Sequence, residues 1–144
     1  MQLTRHTDYA LRILMYLAAN HKDVSSVAEI ADYYSISRNH LVKVVQGLTE
    51  HGYVSTLRGK NGGMYLAYEP ENILVGDVIR QMENHFELVE CFCAETNTCP
   101  VSGACELKHV LGKALNIFLT ELDKVSLADI IKPKLHRKLV GISK

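Results

Sequence analysis

The chain has 144 residues, 47% of them apolar, which fits one compact domain or a small domain with an extension. No apolar run approaches the roughly 18 residues that a membrane helix needs. The start, Met1-Gln2-Leu3-Thr4-Arg5, shows no apolar signal region, so a soluble cytoplasmic protein with no membrane partner is expected. The formal net charge of zero hides an asymmetry: +2 over residues 1–66, −7 over 67–123 and +5 over 124–144. Such a distribution suits a molecule that presents one end to a polyanion.

The first predicted element is a helix over Thr7–Ala18, with Leu11, Leu14, Met15 and Ala18 at the spacing of one helical face. Asn20-His21-Lys22-Asp23 ends it as a polar turn. Ser26-Val27-Ala28-Glu29 is a capping box that opens a short helix through about Tyr34. After a turn at Ser35-Ile36-Ser37, Ser37 is placed to cap a helix from Arg38 to about His51. Leu41, Val44, Val45 and Leu48 form its apolar face, and Gly52 stands where a left-handed C-cap belongs. Two short helices joined by a tight turn make a helix-turn-helix. Tyr53–Arg58 and Met64–Ala67 read as strands around Gly59-Lys60-Asn61-Gly62-Gly63, and a glycine-rich hairpin directly after a helix-turn-helix is a wing.

Glu69-Pro70-Glu71-Asn72 breaks the chain, and Val75 to about Glu83 reads as a short helix. Residues 84–105 show no clear period and contain all four cysteines. Leu107–Leu122 is the longest periodic stretch, with Leu107, Val110, Leu111, Ala114, Ile117, Phe118 and Leu122 on one face. Ser126 caps a last short helix that Pro133 stops, and the basic remainder reads as a mobile tail. The expected fold is therefore mainly α with a small β-hairpin. A winged helix-turn-helix domain spans 1–68, a connecting helix region 69–90, a cysteine loop 91–105, the long helix and a short one 106–131, and a basic tail 132–144.

The helix over 38–51 starts with Ser37, Arg38, Asn39, His40 and Lys43. The first turns of a recognition helix reach base edges in the major groove. Arginine and asparagine have the forked geometry that reads guanine and adenine, and Ser37 with the free N–H groups beside it suits a phosphate. Arg58, Lys60 and Asn61 at the wing tip suit a phosphate pair or a minor groove, and Arg5 and Arg12 suit backbone phosphates. Together these residues predict binding to double-stranded DNA.

Cys91, Cys93, Cys99 and Cys105 fall within fifteen residues, with Asn97, Pro100 and Gly103 as turn formers between them. In a reducing compartment these are thiols rather than disulfides. An iron–sulfur cluster takes thiolates in this way, whereas zinc sites usually bring paired Cys-x2-Cys units, which are absent here. Structural zinc and an electron-transfer module remain the alternatives from another class. No nucleotide loop and no nucleophile–base pair is recognisable, so no enzyme is expected.

These residues resemble the Rrf-type winged-helix regulators, and within them the nitric-oxide-sensing repressors. The resemblance runs nearly end to end. It rests on Leu3-Thr4 and Thr7-Asp8-Tyr9-Ala10-Leu11-Arg12, on Ser37–Lys43, on Arg58–Gly63, on Val89-Glu90-Cys91-Phe92, on Cys99 and Cys105, and on Leu119–Asp123. It implies a homodimer built on the long C-terminal helices and a cluster, 4Fe–4S rather than 2Fe–2S. By that resemblance Cys91, Cys99 and Cys105 of one subunit and Asp8 of the other hold the cluster, and its nitrosylation lowers affinity for the operator. Cys93 departs from the pattern and competes with Cys91 as first ligand, although Cys91 sits in the family's Glu-Cys-Phe context. The family's cluster-biogenesis regulators carry a histidine three residues after the last cysteine, where this chain has Lys108. The rival reading on the same fold is a sensor of iron, cluster or redox status.

Overall fold

The computed structural model describes residues 2–21, 23–59 and 62–141. Seven α-helices and one hairpin are present among them: α1 Arg5–Ala19, α2 Val27–Tyr34, α3 Arg38–Glu50, β1 Val54–Leu57, β2 Gly63–Leu66, α4 Val75–Met82, α5 Glu106–Leu122, α6 Leu127–Ile130 and α7 Pro133–Val140. Short 3-10 turns occupy Pro70–Asn72, Glu90–Phe92 and Ser102–Ala104.

Helix α1 is the hub, packed by α3, α4, α6, α7 and β2. Its most deeply buried apolar residues are Ala10, Ile13, Leu14 and Leu17, whereas Leu11 and Met15 from the expected stripe are half-buried. The buried set keeps the same helical spacing one residue earlier, because the continuous apolar run from Ile13 to Ala19 offers more than one such stripe. The α2 start bears out the capping box: Glu29 N–H donates to Ser26 Oγ at 3.1 Å, and Ser26 N–H donates to Glu29 Oε2 at 2.6 Å. The α2–α3 turn runs through Ser35 in the left-handed region (φ 54°). Ser37 occupies the N-cap of α3 but makes no side-chain cap hydrogen bond there. Gly52 (φ +77°) turns the chain out of α3 as expected.

In the hairpin β1 and β2 are antiparallel, with Val54 opposite Leu66 and Leu57 opposite Gly63. One pairing was not foreseen. Ser25, between α1 and α2, exchanges hydrogen bonds with Met64 at 2.9 and 2.7 Å and forms a one-residue bridge on the free edge of β2. Gly63 makes this approach possible, because a Cβ there would lie 2.6 Å from Ser25 O.

The tail expectation needs correction over residues 133–140, which form α7. Pro133 sits at the start of that helix rather than at the stop of the one before, a position its fixed φ favours. Leu139, four residues after Leu135, is buried against the core around α1, and Tyr33 Oη donates to Lys138 O at 3.1 Å. Residues 84–105 contain no buried residue. Of the seventeen residues in α5, Leu119 alone is buried.

Candidate DNA interface and cysteine loop

Helix α3 buries Leu41, Val44, Val45 and Leu48 and is thereby fixed by one face. Its opposite face presents Arg38, Asn39, Val42, Lys43 and Gln46, with Ser37 and His40 also exposed. The structure thus gathers the five expected residues of this helix on one accessible surface. Arg38 Nη2 lies 3.2 Å from Asp32 Oδ2 in a solvent-exposed pair, which is weak enough to exchange for a base or phosphate. Val42 was missed. It is 53% exposed, four residues after Arg38, and falls outside the spacing of the four buried residues. That offset was the signal available in the sequence. An apolar side chain in this position suits the methyl group of thymine.

Between the first turn of α1 and α3 lies a cleft of about 270 Å³ lined by Arg5, His6, Tyr9, His40, Lys43 and Val44. No acidic residue lines it. A cation in a first turn opposes the helix dipole, so the charge of Arg5 does not serve the stability of α1. Arg5 extends the basic surface of α3, with His6 beside it. Arg12 does not line this cleft. Its guanidinium holds Asp8, with Nη2 2.8 Å from Oδ2, and lies 5.8 Å from the ring centres of Tyr9 and Tyr34. Tyr34, whose phenol burial pushes up to about 12, donates to Arg12 O at 3.2 Å. In the wing Arg58 is exposed beside Gly59 (φ +110°). Lys60 and Asn61 lie outside the described residues.

The cysteine loop runs from α4 to α5. Its four thiols are free and half-buried. Glu90 Oε1 accepts from Thr98 N at 2.7 Å and from Thr98 Oγ1 at 2.6 Å, and these bonds hold its carboxyl below the usual range. This ties the backbone beside Cys91 to that beside Cys99. Asn97 Oδ1 accepts from Cys99 N at 3.0 Å while Asn97 Nδ2 donates to Ser102 Oγ at 2.9 Å, so the turn-forming role expected of Asn97 is visible. Cys105 is the N-cap residue of α5. Among the described residues no three His, Cys, Asp or Glu side chains are gathered closely enough to hold a metal ion. Asp8 stands on α1, a separate element, in its pair with Arg12. The donor set nevertheless suits an iron–sulfur cluster: four unpaired thiols on one loop that no buried side chain locks in place.

The profile of the Rrf2 family, described as an iron-dependent transcriptional regulator, matches residues 3–133. The chain belongs to the Rrf2 family. It is 49% identical over 135 residues to the HTH-type transcriptional regulator NsrR of Bacillus subtilis, covering 93% of this chain and 92% of that one. Identity to the NsrR of Bacillus licheniformis is 51% over 143 residues, covering 98% and 100%. Among solved structures, a transcriptional regulator from Listeria innocua superimposes with a TM-score of 0.76 at 28% identity, covering 92% of this chain and 88% of that one. IscR of T. potens does so with a TM-score of 0.72 at 26% identity, covering 93% and 88%. This Rrf2 member is thus a DNA-binding transcription regulator of a non-enzymatic family. Among its described residues no helix is long and apolar enough to cross a membrane.

Proposed function

We propose that this chain is a cytoplasmic, homodimeric repressor that senses nitric oxide through an iron–sulfur cluster. The observation that carries the reading is the cysteine loop, four free thiols within fifteen residues, on a chain about half identical to NsrR regulators over nearly its whole length. Cys91, Cys99 and Cys105 would hold the cluster, 4Fe–4S in type, with Asp8 of the partner subunit as fourth ligand. The Glu90–Thr98 tie supports Cys91 over Cys93, because it brings the chain at Cys91 to the chain at Cys99. When bound, the cluster supplies the iron that nitric oxide attacks.

A second copy is supported by α5. Leu107, Val110 and Ile117 lie on one side of this helix and are each at least 60% exposed. An apolar stripe of that extent calls for a cover. Arg38, Asn39, His40 and Lys43 would read the operator in the major groove with Ser37 on a phosphate, while Arg58, Lys60 and Asn61 hold a phosphate pair or a minor groove beside it.

Anaerobic purification, a visible spectrum and a nitric-oxide titration in a gel shift test the proposal. A brown protein that bleaches and releases DNA in parallel is expected. A colourless zinc protein that binds DNA whether or not nitric oxide is present would overturn it. A brown protein that responds to iron or oxidants alone would move the signal to the rival on the same fold.

A further inference from the structure

Glu83 stands at an unusual junction. It is the C-cap of α4 in an extended conformation (φ −92°, ψ 129°), the point from which the chain leaves for the cysteine loop. Its carboxylate reaches back 79 residues in sequence to the start of α1. Oε2 accepts from Thr4 N at 3.1 Å, from Thr4 Oγ1 at 3.2 Å and from Thr7 Oγ1 at 2.5 Å, and Oε1 lies 3.3 Å from Thr4 N. Thr7 is fully buried, one of three buried polar residues among those described.

The start of α1 does not need this contact to be capped. Thr4 Oγ1 already accepts from Thr7 N at 3.3 Å, so Glu83 adds a tie between distant elements to a helix that has its own cap. A carboxylate is well suited to the positive end of α1. Asp8 follows Thr7 directly, and its N–H donates to Thr4 O at 3.0 Å.

The preceding residue touches the other element that matters. Met82 is buried beside Gly47 in the middle of α3, where a Cβ would lie 3.2 Å from Met82 Cε and 3.3 Å from His6 Nε2. Residue 82 therefore bears on the recognition helix and residue 83 on α1, with no slack between them. On the loop side is a cavity of about 240 Å³, walled by Leu3, Thr4, Glu83, Phe86, Leu115 and Phe118 among others. The loop root thus has room to move, while the corner itself is packed.

We propose that Glu83 is a positioning residue that transmits the state of the cysteine loop to the DNA-reading surface, through Thr4 and Thr7 to α1 and through Met82 to α3. The proposal rests on the sensor reading of the loop. A displacement of the loop root would pull on the first turn of α1, and with it Asp8, and shift the support under Gly47. A stability role alone would leave the switching ratio untouched.

The test uses the full chain, purified anaerobically, and a duplex selected from random sequence for tight binding by the wild type. Affinity is measured before and after nitric oxide for the wild type, Glu83→Gln, Thr7→Val and Thr7→Ser. The ratio of the two affinities should fall about tenfold or more in Glu83→Gln and Thr7→Val. Thr7→Ser, which keeps the hydroxyl, should stay within about twofold of the wild type. Hydrogen exchange on the wild type covers the case in which a variant does not fold. Nitric oxide should lower protection at the first turn of α1 and around Gly47 together, and unchanged protection there overturns the proposal. A wild type indifferent to nitric oxide overturns the sensor reading and this one with it. Variants that switch as fully as a responsive wild type overturn the coupling alone.

Discussion

The chain divides into two regions that treat similar apolar residues in opposite ways. Between α1 and α4, leucines, isoleucines and valines from α1, α2, α3, the wing and α4 close on one another, joined by Leu127 and Leu139 from the far end. From residue 84 to the end of α5 only Leu119 is buried, and Leu107, Val110 and Ile117 face outward. The first region satisfies its apolar surface within the chain. The second packs one side of α5, through Leu115, Phe118, Leu119 and Leu122, against Val75 and Ile79 of α4, and leaves the stripe of Leu107, Val110 and Ile117 uncovered among the described residues. That contrast separates a head closed on itself, which carries Arg38 and Asn39, from a half whose outer stripe stays open to solvent.

The contrast can be broken most forcefully in the core. Leu48→Ala, at a fully buried site on the inner face of α3, should cost about 2–5 kcal/mol in urea unfolding. Val110→Ala, at an exposed site on α5, should cost less than about 0.5 kcal/mol where the chain is monomeric. Equal costs at the two positions would erase the distinction.

A charge on the outward stripe asks whether the second region is an interface. If Val110 packs against a second copy, Val110→Glu places an unpaired carboxylate in apolar surroundings and should weaken self-association by about 3–5 kcal/mol. Sedimentation would then show monomers that retain the helical signal of the head. A variant as dimeric as the wild type would leave the exposure of Leu107, Val110 and Ile117 unexplained.

Within the head, base reading and backbone holding should separate. Arg38→Ala should cost about 1–3 kcal/mol on the preferred duplex and much less on random DNA. Arg58→Ala should weaken both alike and lower the salt slope by about one. Equal losses for Arg38→Ala on the two duplexes would remove its base-reading role.

The head was legible because its signals are local. The Ser26–Glu29 box, the glycine after α3 and the glycine-rich turn each act within a few residues, and the fold follows their order. What was not legible depends on distant partners. Nothing near Glu83 announces that it meets Thr4 and Thr7, and nothing near Ser25 announces Met64. Pro133 was misread because a proline that stops one helix equally well begins another. The Arg12–Asp8 pair went unread although Asp8, four residues earlier, was the signal for an i,i+4 pair. For the cysteine loop, identity and spacing were readable, but the Glu90–Thr98 tie was not.

The smallest effect concerns the seam between the two regions. Arg80 on α4 grips Asp123 at the end of α5 through both guanidinium nitrogens, the second bond at 2.9 Å. Gly76 on α4 makes room for this contact, because a Cβ there would strike the Asp123 carboxylate. The hydrogen bonds from Arg80 hold the Asp123 carboxyl below the usual carboxylate range. A carboxyl depressed by folding contributes stability above its unfolded value, about 4, and loses that contribution as pH falls through the lower folded value. Asp123→Asn should therefore unfold at lower urea than the wild type at pH 7. The gap between them should narrow below about pH 4 as the wild type loses the same charge. Because the pair is solvent-exposed, the gap should also shrink in high salt. A gap that persists unchanged at pH 3 and in salt would mean that Asp123 holds α5 by packing over Gly76 rather than by charge. The seam would then belong to the head's way of holding itself together.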